Sequence, residues 1–149
     1  MESKDEIKVF SNREYFSHVE SLLQNGENVQ IPIRGKSMLP FLKETDKVVL
    51  FPAYAERFSL GDILLAREES GRVILHRLVK INKETLILAG DGNLVQHEII
   101  NSNQVIGVAR WAIRGDKKID LQSFKNQVLG ISWYKIRFIR RVYHKLFKS

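Results

Sequence analysis

The stretch Gly71-Arg72-Val73-Ile74-Leu75-His76-Arg77-Leu78-Val79-Lys80 reads as a strand, with Ile74, His76 and Leu78 on one face by period-2 alternation. Glu68-Glu69-Ser70-Gly71 before it and Asn82-Lys83-Glu84 after it are turn sequences, so neighbours along the chain are expected to pair antiparallel. The strand itself covers 71–81. Outward from it, short β runs separated by turn residues are expected at 28–34, 46–51, 61–67, 84–90 and 104–114. On the N-terminal side, Ser11 and Glu14 make a capping pair. Tyr15, Phe16, Val19, Leu22 and Leu23 follow at helical spacing and Gly26 is a stop, which predicts a helix over 12–25. From Phe124 the period is helical again. The expected fold is mainly β, with an N-terminal helical segment over 1–28, a β-rich domain over 29–120 and a basic amphipathic helix over 121–149.

The chain of 149 residues, 44% hydrophobic and 28% charged, has room for one core and little else. It contains no Cys, which excludes disulfides, thiolate metal sites, iron–sulfur clusters and a cysteine nucleophile. Any nucleophile must be an oxygen, and no cofactor or metal is expected. The opening Met1-Glu2-Ser3-Lys4-Asp5-Glu6 does not read as a secretory leader, and no apolar run approaches the roughly 20 residues that span a bilayer. The expected location is therefore cytoplasmic, or peripheral at the inner membrane. Charge is unevenly placed. All 17 acidic residues lie at or before Asp120, so the net +7 sits on the last 29 residues.

Three short motifs fail on inspection. Gly35-Lys36-Ser37 lacks the Gly that a phosphate-binding loop needs at position 30, where Gln30 stands. His97-Glu98-Ile99-Ile100-Asn101 lacks the second His of a helical zinc site, and Asp91-Gly92-Asn93-Leu94-Val95 lacks the third oxygen ligand of a calcium loop. Arg114-Gly115-Asp116 reads as a turn.

Three elements carry potential chemistry. In Ile31-Pro32-Ile33-Arg34-Gly35-Lys36-Ser37-Met38-Leu39-Pro40, a permissive Gly35 and a rigid Pro40 bracket Ser37. A tight turn there can hold a hydroxyl outward beside backbone N–H groups, or it can be an ordinary turn Ser. His76 on its strand is partly buried, which favours a neutral imidazole able to accept a hydroxyl proton; a hydrogen-bonded core His is the plainer alternative. In Ala89-Gly90-Asp91-Gly92-Asn93, Asp91 could orient a His ring or form an Asx turn.

The order of these elements is more specific than any one of them. A Ser-Met-x-Pro turn (Ser37, Met38, Pro40), Gly61-Asp62 at the head of a strand, His76-Arg77-Leu78 and Gly90-Asp91-x-Asn93 occur in succession over roughly 29–111. This succession resembles the signal peptidase and LexA-like superfamily of serine proteases, and His76 in the strand position resembles the branch that uses a Ser-His pair. The resemblance implies a β-ribbon or partly open barrel, with Ser37 as nucleophile, His76 as base and Asp91 as orienting acid. Gly35, Ser37, Met38 and Pro40 would form the oxyanion turn. The family's further Asp is replaced by Gln96 and His97, which leaves Asp91 or Glu98 as the acid. Self-cleaving members carry a small-residue cleavage site before the nucleophile, whereas the sole Ala89-Gly90 lies after Ser37. The implied activity is a serine endopeptidase removing a leader or signal-like segment from a peptide or protein precursor. Two other readings stand beside it: a non-catalytic peptide-binding or membrane-tethering module of the same fold, and a nucleic-acid-associated regulator, with no nucleic-acid partner favoured.

A single helix over 127–148 would put Trp133, Ile136, Ile139, Val142, Tyr143 and Leu146 on one side. Lys135, Arg137, Arg141, His144, Lys145 and Lys148 would lie mostly on the other. With Arg140, this set (Trp133, Lys135, Ile136, Arg137, Ile139, Arg140, Arg141 and Lys145) is expected to meet an anionic membrane surface. The alternatives are a helix packed on the domain with its basic face in water, and a nucleic-acid tail. Because Ser37, His76 and Asp91 all precede residue 130, deletion of 130–149 is expected to spare cleavage of a soluble peptide.

Overall fold

A computed structural model describes residues 12–53 and 58–147. The Met1–Glu6 segment, the Ser11 cap and Lys148 lie outside them. Helix α1 spans Asn12–Gln24 and turns Val19 and Leu23 into the core. It ends where Gly26 takes the left-handed conformation (φ +85°), which lets the N–H groups of Gly26 and Glu27 return to the carbonyls of Leu23 and Leu22.

Eight strands follow: β1 (Val29–Pro32), β2 (Lys47–Pro52), β3 (Ile63–Arg67), β4 (Val73–Asn82), β5 (Thr85–Ala89), β6 (Glu98–Asn101), β7 (Val105–Arg114) and β8 (Lys117–Asp120). They form one antiparallel sheet in the order β1-β2-β7-β3-β4-β5-β6, with β8 paired to the C-terminal half of β7. The register slips between Val49 and Leu50, between Leu65 and Ala66, and between Leu78 and Lys80. Each extra residue bends its strand and increases the local twist, so the sheet curls into a half-barrel with apolar residues on both faces. Strand β3 serves both. Ile63 and Leu65 join Val19, Leu23 and Leu50 in one cluster, while Leu64 and Ala66 join Leu78, Leu88 and Ile100 in the other. Burial on both sides explains why Ile63-Leu64-Leu65-Ala66 shows no polar alternation. The mainly β class with flanking helices is as the sequence implies. Strands β6 and β8 are additions, each too short to show a period.

Two of the strand edges that have no partner among the described residues lie beside one groove. β1 pairs only with β2, and β5 pairs with β4 only from Arg77 onward, so Val73–His76 have β3 on one side and no strand on the other. Both edges border the same groove of about 310 Å³.

Asp46, buried beyond the tight turn after β1, anchors that turn to the sheet. It accepts two hydrogen bonds from Arg114 on β7, at 2.9 and 2.7 Å, and one from Lys43 N–H, while Arg114 also donates to Phe41 O. The Arg114 bonds hold the Asp46 carboxyl below the usual carboxylate range. A lowered folded value means stability that is complete above about pH 4 and is lost as pH falls through the folded value. Asp46→Asn is therefore expected to cost about 2 kcal/mol at neutral pH, or roughly 4–8 °C in Tm, because the Arg114 head reaches solvent. The gap from the wild type should close in acid, as read by thermal unfolding across pH.

The C-terminal segment corrects the expectation of one continuous helix. Helix α2 (Phe124–Lys135), capped by Ser123 Oγ accepting from Asn126 N–H, ends at Ile136, and α3 (Arg137–Phe147) follows it. The break brings Trp133 and Arg140 onto one carbonyl, that of Asp91. No helix among the described residues is long and apolar enough to cross a membrane.

Candidate active site

Ser37 sits half-buried in the tight turn after β1. The turn is entered through Gly35 at φ +77°, a left-handed conformation that a side chain would strain. It closes by hydrogen bonds from Leu39 N–H to Lys36 O and from Phe41 and Leu42 N–H to Met38 O, with Met38 and Leu42 buried as anchors. Among the described residues neither Ser37 N–H nor Met38 N–H donates a hydrogen bond, which leaves both amides for an incoming oxygen. Pro40, with no N–H, contributes shape alone.

The Gly90-Asp91-Gly92-Asn93 turn lies directly against this one. Gly92 N–H donates to Ser37 O at 2.8 Å. A Cβ on Gly92 would stand 2.8 Å from Lys36 O, and one on Gly90 would stand 2.6 Å from Ser37 O and 3.1 Å from His76 Nε2. Two glycines are needed here for close approach. Gly90→Ala should push the Ser37 turn away from His76, because the clashing atom is backbone and cannot rotate aside. The expected result is a Tm lower by several degrees and loss of any Ser37-dependent activity.

His76 is buried on β4, and its Nδ1 lies 2.6 Å from Glu98 Oε1. The contact to Glu98 holds the ring at Nδ1 and leaves Nε2 facing Gly90 and the Ser37 turn. No hydrogen bond joins Ser37 Oγ to the ring among the described residues, an arrangement common in unliganded sites where the contact tightens on binding. Ser37, His76, Glu98 and Asn93 all line the groove between the two unpaired strand edges.

Asp91 is not on the His76 ring. Its carboxylate takes two hydrogen bonds of 2.8 Å from Arg77, which also donates to Gly61 O and lies beneath the Phe41 ring and Gly130. Burial pushes the Asp91 carboxyl up from its ordinary value, and the Arg77 hydrogen bonds work against that. Sheet geometry explains which carboxylate meets the ring. Consecutive residues His76 and Arg77 point to opposite faces. Leu78, Leu88 and Glu98 are successive cross-strand partners, so Glu98 shares the face of Leu78 and His76.

The tail is part of this assembly. Trp133 Nε1 and Arg140 donate to Asp91 O, Arg140 also reaches Asn93 O, and Arg137 donates to Gln96 O. Deleting 130–149 would strip these donors and uncover Arg77, so the tail is structurally joined to the turn that carries Asp91. Of the residues expected to face a membrane, Trp133, Arg137 and Arg140 are turned to the body, whereas Lys135, Ile136, Ile139, Arg141 and Lys145 are exposed. Among the described residues no cluster of three or more His, Asp or Glu could hold a metal.

Fold and site define a class: a curled antiparallel half-barrel with a Ser turn facing a carboxylate-held His in an open groove. Searches against protein-family models and curated proteins find no match for the chain.

Proposed function

We propose that the protein is a serine endopeptidase of the signal peptidase-like type, acting on a leader or signal-like segment of a precursor peptide. The observation that carries this reading is His76, buried, held at Nδ1 by Glu98 and turned at Nε2 toward Ser37 in an open groove. An extended peptide in that groove could pair with the free edges of β1 and of Val73–His76, which would satisfy its backbone groups and present one carbonyl to Ser37. Ser37 Oγ would attack that carbonyl as His76 Nε2 takes its proton, with the Ser37 and Met38 amides facing the oxyanion. His76 would then return the proton to the leaving amine, and water would release the acyl group by the same route. Glu98, and not Asp91, would hold the ring throughout.

The second reading, a peptide-binding module that does not cut, rests on the groove and the two strand edges beside it, which can hold an extended peptide whether or not Ser37 attacks it. Incubating the wild type with a library of extended peptides and reading products by mass spectrometry separates the two. New termini that vanish with Ser37→Ala support the peptidase, whereas retention of peptides without products supports the module. The proposed location is the periphery of a membrane, a reading that rests on the C-terminal helices and not on the groove.

A further inference from the structure

Helix α3 is amphipathic but mounted the opposite way to an ordinary surface helix. At 3.6 residues per turn, Phe138, Ile139, Val142, Tyr143, Leu146 and Phe147 occupy one continuous half of it, and Arg137, Arg140, Arg141, His144 and Lys145 occupy the other. A helix packed on its own domain buries the apolar half. Here the contacts to the body come from the cationic half, where Arg137 and Arg140 donate to the carbonyls of Gln96, Asp91 and Asn93 while Arg141, His144 and Lys145 stay exposed. The apolar half faces outward: Phe138 is 68% exposed, Ile139 65%, Leu146 68% and Phe147 71%. A helix packed by its apolar half with the basic half in water, one of the arrangements the sequence allows, is not the one found, since no apolar residue of α3 is buried.

We propose that this outward face is a docking surface for an anionic lipid bilayer. The proposal deepens the peripheral placement above and does not depend on the peptidase chemistry. Charge argues for the occupant. From 121 to 147 there is no Asp or Glu, while Arg141, stacked over Phe138, and Lys145 lie at the border of the apolar half, where lipid headgroups would meet them. A second copy of the chain would instead set these cations against their own duplicates. Aromatic side chains at Phe138, Tyr143 and Phe147 suit the headgroup boundary, where flat rings with apolar bodies accumulate. The attachment has a consequence for the groove. Asn93 and Gln96, whose carbonyls hold α3, also line it, so docking α3 on a bilayer places the groove beside the lipid surface.

The test is co-sedimentation of the full chain with phosphatidylcholine vesicles and with mixed phosphatidylcholine–phosphatidylglycerol vesicles, at low and high salt. The wild type should partition onto the mixed vesicles, less onto the neutral ones, and less again at high salt. The double variant Ile139→Glu, Leu146→Glu changes two exposed positions. It should therefore keep the fold, checked by circular dichroism, and partition roughly a hundredfold or more weakly. The Arg141→Glu, Lys145→Glu variant should lose the preference for the anionic mixture. Ser37→Ala should bind as the wild type does, so failure of the peptidase reading would leave this result intact. A wild type that stays in the supernatant, or a double Glu variant that sediments equally, overturns the proposal. A wild-type dimer that the double variant dissociates also overturns it, by assigning the face to a second copy.

Discussion

In Ser37→Ala and His76→Ala, cleavage of any peptide that the wild type processes is expected to fall by about 10⁶-fold in kcat, since the two act as one unit. Glu98→Gln should cost about 10⁴-fold, because an amide can hold the ring yet cannot balance the imidazolium that forms as the proton leaves Ser37. All three variants should remain folded: each is close in size or smaller, and Ser37 is half-exposed in its turn. The informative comparison is with Asp91→Asn measured on the same peptide. Asp91 touches Arg77 and not His76, so its effect on kcat should be far below that of Glu98→Gln. Equal losses at unchanged Tm would return the orienting role to Asp91. Undiminished turnover by Ser37→Ala would remove that residue from the chemistry.

The largest stability effect is expected at the same aspartate. Asp91→Ala leaves the Arg77 guanidinium charged, 2% exposed, and enclosed by Phe41 and Gly130. Removing one partner of a buried ion pair costs about 3–5 kcal/mol, which in a domain of this size is roughly 10 °C in Tm. Replacing both members, as in Arg77→Met with Asp91→Leu, should recover much of the loss, since no charge is then left buried. A double variant no more stable than Asp91→Ala would show that the pair is needed for the 90–93 turn itself, and that the charge account is wrong. Thermal unfolding of the two variants beside the wild type decides it.

Only part of this site is a local property of the chain. The order of the Ser37, His76 and Asp91 segments was legible, and so was the strand that carries His76, because a period of two over β4 and the turns on either side of it are local properties. Which carboxylate meets the ring was not. That choice depends on the register Leu78–Leu88–Glu98 across three strands, and on β6, a strand of four residues whose Ile99 and Ile100 give no readable alternation. Glu98 stood in the sequence as an alternative only. Likewise Gly90 and Gly92 read as turn residues, although their function is to let the Ser37 carbonyl approach, which no local pattern encodes.

The tail divides in the same way. Its lack of acids and its two-sided character followed from composition and period alone, since amphipathicity is a property of consecutive residues on one helix. Its division at Ile136 and the turning of Arg137 and Arg140 inward were decided by tertiary structure. The reason is that carbonyl oxygens at Asp91, Asn93 and Gln96, displaced from any strand ladder, needed donors, and Trp133, Arg137 and Arg140 were within reach to supply them. Hydrogen-bond demand from a loop distant in sequence thus set which face of α3 meets the body, and so left the apolar face outward.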